Sequence, residues 1–245
     1  KWDMNRNLSD VWSAALPASR QGEVSHRYVL GLYELMERLT GTYPDILWEG
    51  CSGGGGRFDA GILCYMPQIW CSDNTDAVER TRIQYGTSFG YPICAVGAHV
   101  SAGINQQTGR QVPLETRAEV AMAGTFGYEM DVQRLDASEQ EQVRRQIQNY
   151  IRFEHIIRLG DYYRLTSPDT DETLAAWQFV AKDRTESLVS IVALHPKANP
   201  PFRRIRLKGL EEHAVYRIDG EDQVWKGSAL MYAGLPVPLL WGDYQ

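Results

Sequence analysis

Between residues 45 and 132 short apolar runs alternate with segments of helical periodicity, and this alternation limits the fold more than any other feature. Residues 45–51, 68–71, 93–100 and 125–132 are continuous and apolar, as strands buried on both faces are. Lys1 to Arg6 has the look of the end of one more such strand. Ser25 introduces an amphipathic helix with Val29, Leu32, Tyr33, Leu35, Met36 and Leu39 at helical spacing and Gly41 as its stop. Further helices are predicted over residues 76–85, where Asn74 or Thr75 can act as the cap, and over residues 115–123. Ser138 opens the longest, with Val143, Ile147, Tyr150, Ile151 and Ile157 on one face. Strand–helix alternation implies parallel β/α units, and right-handed crossovers close such a series into a barrel or an open sheet.

The pattern changes at Gly160. Residues 162–165, 174–181, 188–194, 203–207, 214–218 and 223–225 are short runs separated by turn formers such as Ser167-Pro168-Asp169 and Asp219-Gly220. No helix-length segment intervenes, which is the signature of an antiparallel sandwich. Two domains are therefore expected, residues 1–159 and 160–245.

A chain of 245 residues can bury a proper core, and its net charge of -6 argues against nucleic acid or an anionic membrane as partner. The mean hydropathy of -0.38 describes a soluble protein, and no run reaches the roughly 18 apolar residues of a membrane span. The four cysteines, Cys51, Cys64, Cys71 and Cys94, have no C-x-x-C spacing, so neither zinc nor a disulfide framework is indicated. The chain opens inside a strand rather than before one, so it is expected to be the C-terminal part of a longer protein.

Chemistry gathers at two strand ends. Lys1, Asp3 and Asn5 alternate onto one side of the first strand, and a lysine beside a carboxylate keeps it ionised and nucleophilic. The second strand end, Trp70-Cys71-Ser72-Asp73-Asn74-Thr75-Asp76, again opens from an apolar run into acids. Asp73, beside Trp70 and Cys71, is the candidate general acid, because apolar surroundings hold a proton on a carboxyl. Asp76 falls in the first turn of a helix, where an acid is favoured anyway. Two carboxylates at two strand ends are the minimum equipment for cleaving a glycosidic bond.

The run Ser52-Gly53-Gly54-Gly55-Gly56 lacks the lysine and hydroxyl of a phosphate loop and fits a tight turn whose amides approach ligand hydroxyls. Arg57 and Asp59 are expected to pair and hold that loop. His99, at the end of a strand, is expected to be structural. Trp2, Trp48 and Trp70 are equally suited to stacking on a sugar face or to packing in the core.

Taken together, Lys1-Trp2-Asp3-Met4-Asn5-Arg6, the segment from Glu49 through the glycines to Asp59, and the segment from Gln68 to Arg80 resemble the α-galactosidases of glycoside hydrolase family 36. So do Gly127-Tyr128-Glu129-Met130-Asp131 and Gly234-Leu235-Pro236-Val237-Pro238. The resemblance implies an α/β fold, with strands four to eight of a (β/α)8 TIM barrel followed by an antiparallel β-sandwich domain. It implies a retaining hydrolase of terminal α-galactose, with Asp3 as nucleophile and Asp73 as acid/base. Lys1, Trp2, Asn5, Cys51, Ser52 and Gly53 then become substrate-binding residues. It also implies α-galactoside oligosaccharides such as raffinose and melibiose as partners, no metal or organic cofactor, a homotetramer and a cytoplasmic setting. Gly50 departs from the pattern, since the family usually has Asn there, and the substitution is expected to loosen the loop. The 245 residues alone lack three barrel strands and are expected to be inactive and aggregation-prone. Three other functions fit the same residues: a raffinose- or stachyose-forming galactosyltransferase, an α-N-acetylgalactosaminidase, and a non-catalytic sugar-binding module.

Overall fold

The computed structural model describes residues 1–3, 10–238 and 242–244. Its backbone divides into two compact units, one of Lys1–Asp73 with Ala95–Gly97, the other of Asn74–Cys94 with Ala98–Gln245. A five-stranded sheet has the order β1 (Trp2–Asp3), β2 (Glu49–Cys51), β3 (Gln68–Trp70), β4 (Val96–Ser101), β5 (Thr125–Glu129). The pairings β1–β2, β2–β3 and β3–β4 are parallel, as the alternation of strands and helices requires.

In the first unit the register decides what faces what. Trp2 lies opposite Gly50 and Gly50 opposite Ile69, so these three share one face of the sheet. That face packs on helix α1 (Val24–Thr42) through Leu32 and Met36, with Ile62, Met66, Trp48 and Phe58 completing the core. The opposite face carries Lys1 and Asp3, Glu49 and Cys51, Gln68 and Trp70. Of the six apolar α1 positions singled out by periodicity, only Leu32 and Met36 are buried, while Val29 and Leu35 are exposed. The helix also runs past Gly41 to Thr42. The strand expected from residue 45 starts only at Glu49: residues 43–46 form a turn closed by the Ile46 amide on Tyr43 O at 3.2 Å, and Ile46 and Leu47 are exposed.

The second unit holds helices α2 (Ala77–Thr87), α3 (Leu114–Ala121) and α4 (Ala137–Leu159). The apolar run at residues 93–100 splits into a 3-10 turn, Ile93–Ala95, and β4. Helix α4 starts on a capping box, Asp136 accepting from the Glu139 amide and Glu139 returning to the Asp136 amide. Its buried residues are Gln146, Ile156 and Ile157, whereas Ile151, assigned to the inner face by periodicity, is 70% exposed. Gln146 is buried because it is satisfied: it accepts from the Tyr128 hydroxyl at 2.8 Å and donates to Leu114 O at 3.3 Å.

Beyond α4 the strands are antiparallel, as expected. They form a three-stranded sheet β6–β7–β8 (Asp161–Arg164, Leu174–Val180, Ser187–Ala193) and two pairs, β9 (Arg204–Ile205) with β12 (Leu235–Pro236), and β10 (Val215–Arg217) with β11 (Val224–Lys226). Leu174, Ala176, Val180, Ile205, Leu207, Leu210 and Leu230 form their core. A wide helical turn, Ala229–Ala233, and β12 itself carry no periodic signal in so short a run. Among the described residues no helix is long and apolar enough to cross a membrane.

Candidate active site

Asp3 and Asp73 belong to the same compact unit and are tied to one place by two chains of contacts. The first runs through Cys51, which pairs in register with Asp3 across β1 and β2. Lys1, Asp3 and the Gly54 amide all lie near enough to act on its thiol. Gly54 in turn lies against Asp73: a Cβ on Gly54 would stand 2.4 Å from the Asp73 amide nitrogen. The second runs through Trp70, whose indole N–H donates to Asp73 Oδ1 at 3.1 Å while its ring lies 4.7 Å beneath the Lys1 ammonium. Both carboxylates are exposed, as groups that meet a soluble substrate must be.

Burial pushes the Cys51 thiol above its ordinary value, and Asp3 beside it adds to the effect, against the opposing pull of the Gly54 amide and Lys1. Cys51 is therefore a neutral thiol beside the nucleophile candidate. Lys1 forms an ion pair with the buried Glu49 at 3.2 Å. Sequence alone does not mark Glu49 as part of the site, because it lies inside the 45–51 run and its partners come from other strands.

The glycines of the 52–56 loop have a reason beyond ligand access. Gly53, Gly54 and Gly55 take φ values of 53°, 72° and 104°, open to glycine at little cost. Gly55 also backs onto the chain, with a Cβ there standing 2.7 Å from Cys71 O. The loop thus packs backbone to backbone on residues 71–73. Arg57 secures it, donating to the carbonyls of Cys51 and Trp2. The expected pairing of Arg57 with Asp59 is replaced by other partners: Asp59 accepts from the Tyr33 hydroxyl at 2.6 Å and the Ile62 amide at 2.8 Å.

Of the two roles that suit Trp2, the structure shows packing: it lies on the sheet face opposite Asp3, against the core and with Trp48 at 6.0 Å between ring centroids. Gly50 shares that core face, where its missing side chain makes room for Ile69 and Met66, so an Asn there would press on the core rather than tighten the loop. Among the described residues the Asp73 carboxyl is exposed and meets the polar edge of Trp70. Ser52 and Gly53 lie on the loop beside Cys51, half-buried and exposed respectively. Asn5 lies outside the described residues.

Asp76 is the cap of α2, as the helix-start interpretation requires, in place of Asn74 or Thr75. It is buried and accepts from the Val78 amide at 2.9 Å, the Thr108 hydroxyl at 2.5 Å and Arg110 at 2.6 Å. Burial would raise its pKa, but the hydrogen bonds from Thr108, Arg110 and Val78 outweigh that and hold it below the usual carboxylate range. His99 lies within β4 rather than at its end, 3.4 Å from Glu129. Among the described residues no cluster of His, Cys, Asp or Glu could hold a metal ion.

Against known proteins, the melibiase model matches residues 1–160 and the glycosyl hydrolase family 36 C-terminal domain model residues 174–245. The chain is 50% identical over 244 residues to α-galactosidase AgaA of Geobacillus stearothermophilus, covering 100% of this chain and 33% of that protein. It is 52% identical over 245 residues to the bifunctional α-galactosidase/sucrose kinase AgaSK of Mediterraneibacter gnavus, covering 100% of this chain and 25% of that one. The chain thus spans about a quarter to a third of the length of the curated relatives it matches. Two crystal structures of AgaA superpose on it with a TM-score of 0.95 at 49% identity, over 100% of this chain and 34% of theirs. One is an Asp-to-Asn variant in complex with raffinose, the other an Asp-to-Ala variant in complex with stachyose, each also carrying an Ala-to-Glu change. A barrel segment followed by a β-rich domain, two family models in the same order and this structural agreement have one meaning: the chain belongs to the melibiase family, glycoside hydrolase family 36.

Proposed function

We propose that the whole protein carrying this chain is a retaining α-galactosidase that removes terminal non-reducing α-galactose from oligosaccharides such as raffinose and melibiose. One observation carries the proposal: the Trp70 indole N–H donates to Asp73 Oδ1 while its ring underlies Lys1, which shares a sheet face with Asp3. Support comes from AgaA, whose raffinose and stachyose complexes replace two different aspartates, separated in sequence by the same interval as Asp3 and Asp73.

In the proposed reaction Asp3 attacks the anomeric carbon as Asp73 protonates the departing glycosidic oxygen. Asp73 then takes a proton from water, which displaces Asp3 and releases galactose with its configuration retained. Lys1, Asn5, Cys51 and the 52–53 segment hold the sugar hydroxyls. Retention requires the two carboxyl groups about 5–5.5 Å apart, with room for the anomeric carbon but not for an inverting water. We assign residues 1–159 to the catalytic barrel and residues 160–245 to the C-terminal domain. The whole protein is proposed to be a cytoplasmic homotetramer, which cell fractionation and sedimentation analysis test.

The deciding experiment is hydrolysis of p-nitrophenyl α-galactoside by the full-length protein and its Asp3→Ala variant, with and without azide. Activity lost on substitution and restored by azide, with β-galactosyl azide as product, is the expected result. Activity that survives the substitution refutes the assignment of Asp3.

A further inference from the structure

A second row of side chains lies directly below the reacting one. In the sheet register Glu49 is opposite Gln68 and, one residue before the Trp2–Gly50 pair, Lys1 is opposite Glu49. The three side chains join: Lys1 Nζ stands 3.2 Å from Glu49 Oε1, and the Gln68 side-chain amide donates to Glu49 Oε2 at 2.6 Å. Two residues further along each strand, on the same face, stand Asp3, Cys51 and Trp70. The polar row therefore underlies the row that presents the nucleophile candidate.

Glu49 is 7% exposed, and a carboxylate so buried is retained only where charge and hydrogen-bond partners meet it. Lys1 supplies the charge. A lysine ammonium is a compact point charge on a flexible stem, so its direction has to be imposed from outside. Here Glu49 holds it from one side and the Trp70 ring, at 4.7 Å, from below. The ion pair draws the ammonium toward the Glu49 side of the row, and this limits where its N–H donors can point.

We propose that Glu49 is a positioning residue of the sugar site that acts through Lys1, holding the ammonium by charge so that its donors meet hydroxyls of a sugar seated on Asp3. This rests on the function proposed above. Glu49 itself does not touch the sugar; Gln68 orients Glu49, and Trp70 joins the Lys1 end of the row to Asp73.

The test uses the full-length protein with Glu49→Gln and Lys1→Met made singly and together. The readouts are kcat and KM on p-nitrophenyl α-galactoside, galactose affinity by calorimetry, and thermal unfolding. Glu49→Gln is expected to raise KM and the galactose Kd about tenfold, with a smaller change in kcat. In the Lys1→Met background the same substitution is expected to change neither by more than about twofold, because residues that act through one another are not additive. Additive effects, or an unaltered KM in a folded Glu49→Gln protein, overturn the proposal. Should Glu49→Gln fail to fold, Gln68→Leu removes the donor to Oε2 and leaves both charges in place. It is expected to raise the same KM severalfold, and an unchanged value overturns the proposal. An unsubstituted protein that neither hydrolyses the galactoside nor binds galactose refutes the function itself, a result distinct from an active parent indifferent to Glu49.

Discussion

The Trp70 indole N–H donates to Asp73 Oδ1 at 3.1 Å, so the last strand residue holds the carboxyl three residues beyond it. Trp70→Phe keeps a ring under Lys1 and removes only this donor. The Asp73 carboxyl gains negative charge as it gives up its proton, and a hydrogen bond to a charged group contributes about 1.5–3 kcal/mol, so kcat/KM on α-galactosides is expected to fall by roughly tenfold to a hundredfold. Unchanged kinetics in a folded Trp70→Phe protein would make the contact incidental.

If Asp73 is the proton donor, the cost of losing it depends on the leaving group. Asp73→Ala is expected to slow raffinose hydrolysis by about 10²–10⁴-fold, the range that a positioned acid supplies. For 2,4-dinitrophenyl α-galactoside, whose leaving group needs no proton, the first chemical step is expected to change little. Equal loss on both substrates, read by single-turnover kinetics, would move the acid role elsewhere.

Gly54 has a φ of +72° and leaves no space for a Cβ, which would stand 2.4 Å from the Asp73 amide nitrogen. Gly54→Ala combines a left-handed backbone, costing about 1–2 kcal/mol, with a displaced loop. The melting temperature and kcat are expected to fall together. A variant that loses stability but keeps kcat would separate the loop from the chemistry.

The Asp76 carboxylate sets a pH-dependent part of stability. Its pKa is lowered on folding, so the contribution is complete above the unfolded-state value and is lost as pH falls through the folded one. Asp76→Asn leaves the partly exposed Arg110 with Glu79 as its remaining acidic partner and is expected to cost about 1–3 kcal/mol at neutral pH. The melting temperature of the variant should also respond less to acid than that of the parent, a comparison that thermal scans between pH 3 and 7 would make.

Much of this site was legible because strand ends carry their own signal. Asp3 and Asp73 stand where apolar runs stop, and a glycine run of that length has few uses other than close backbone approach. Side chains whose partners come from other strands were not legible. Glu49 sits in an apolar run and becomes meaningful only when the register sets it beside Lys1 and Gln68. For Trp2 a strand-end aromatic suits both a sugar face and the core, and only the sheet register shows which face it takes. The inner face of α4 was mistaken because Gln146, polar in sequence, is buried by two hydrogen bonds that no periodicity encodes. Thr108 and Arg110 reach Asp76 from the far side of β4, a distance along the chain that spacing rules do not bridge.

The close seating of Gly54 and Gly55 on residues 71–73 bears on how such enzymes can be re-engineered. A loop exchanged between relatives to alter sugar preference would carry a new backbone surface into contact with the segment that bears Asp73. Grafts that transplant residues 52–56 alone should therefore lose turnover along with the old selectivity. Those that move the loop and residues 71–73 as one cassette should keep it, so the unit of inheritance here is the pair of segments rather than either motif.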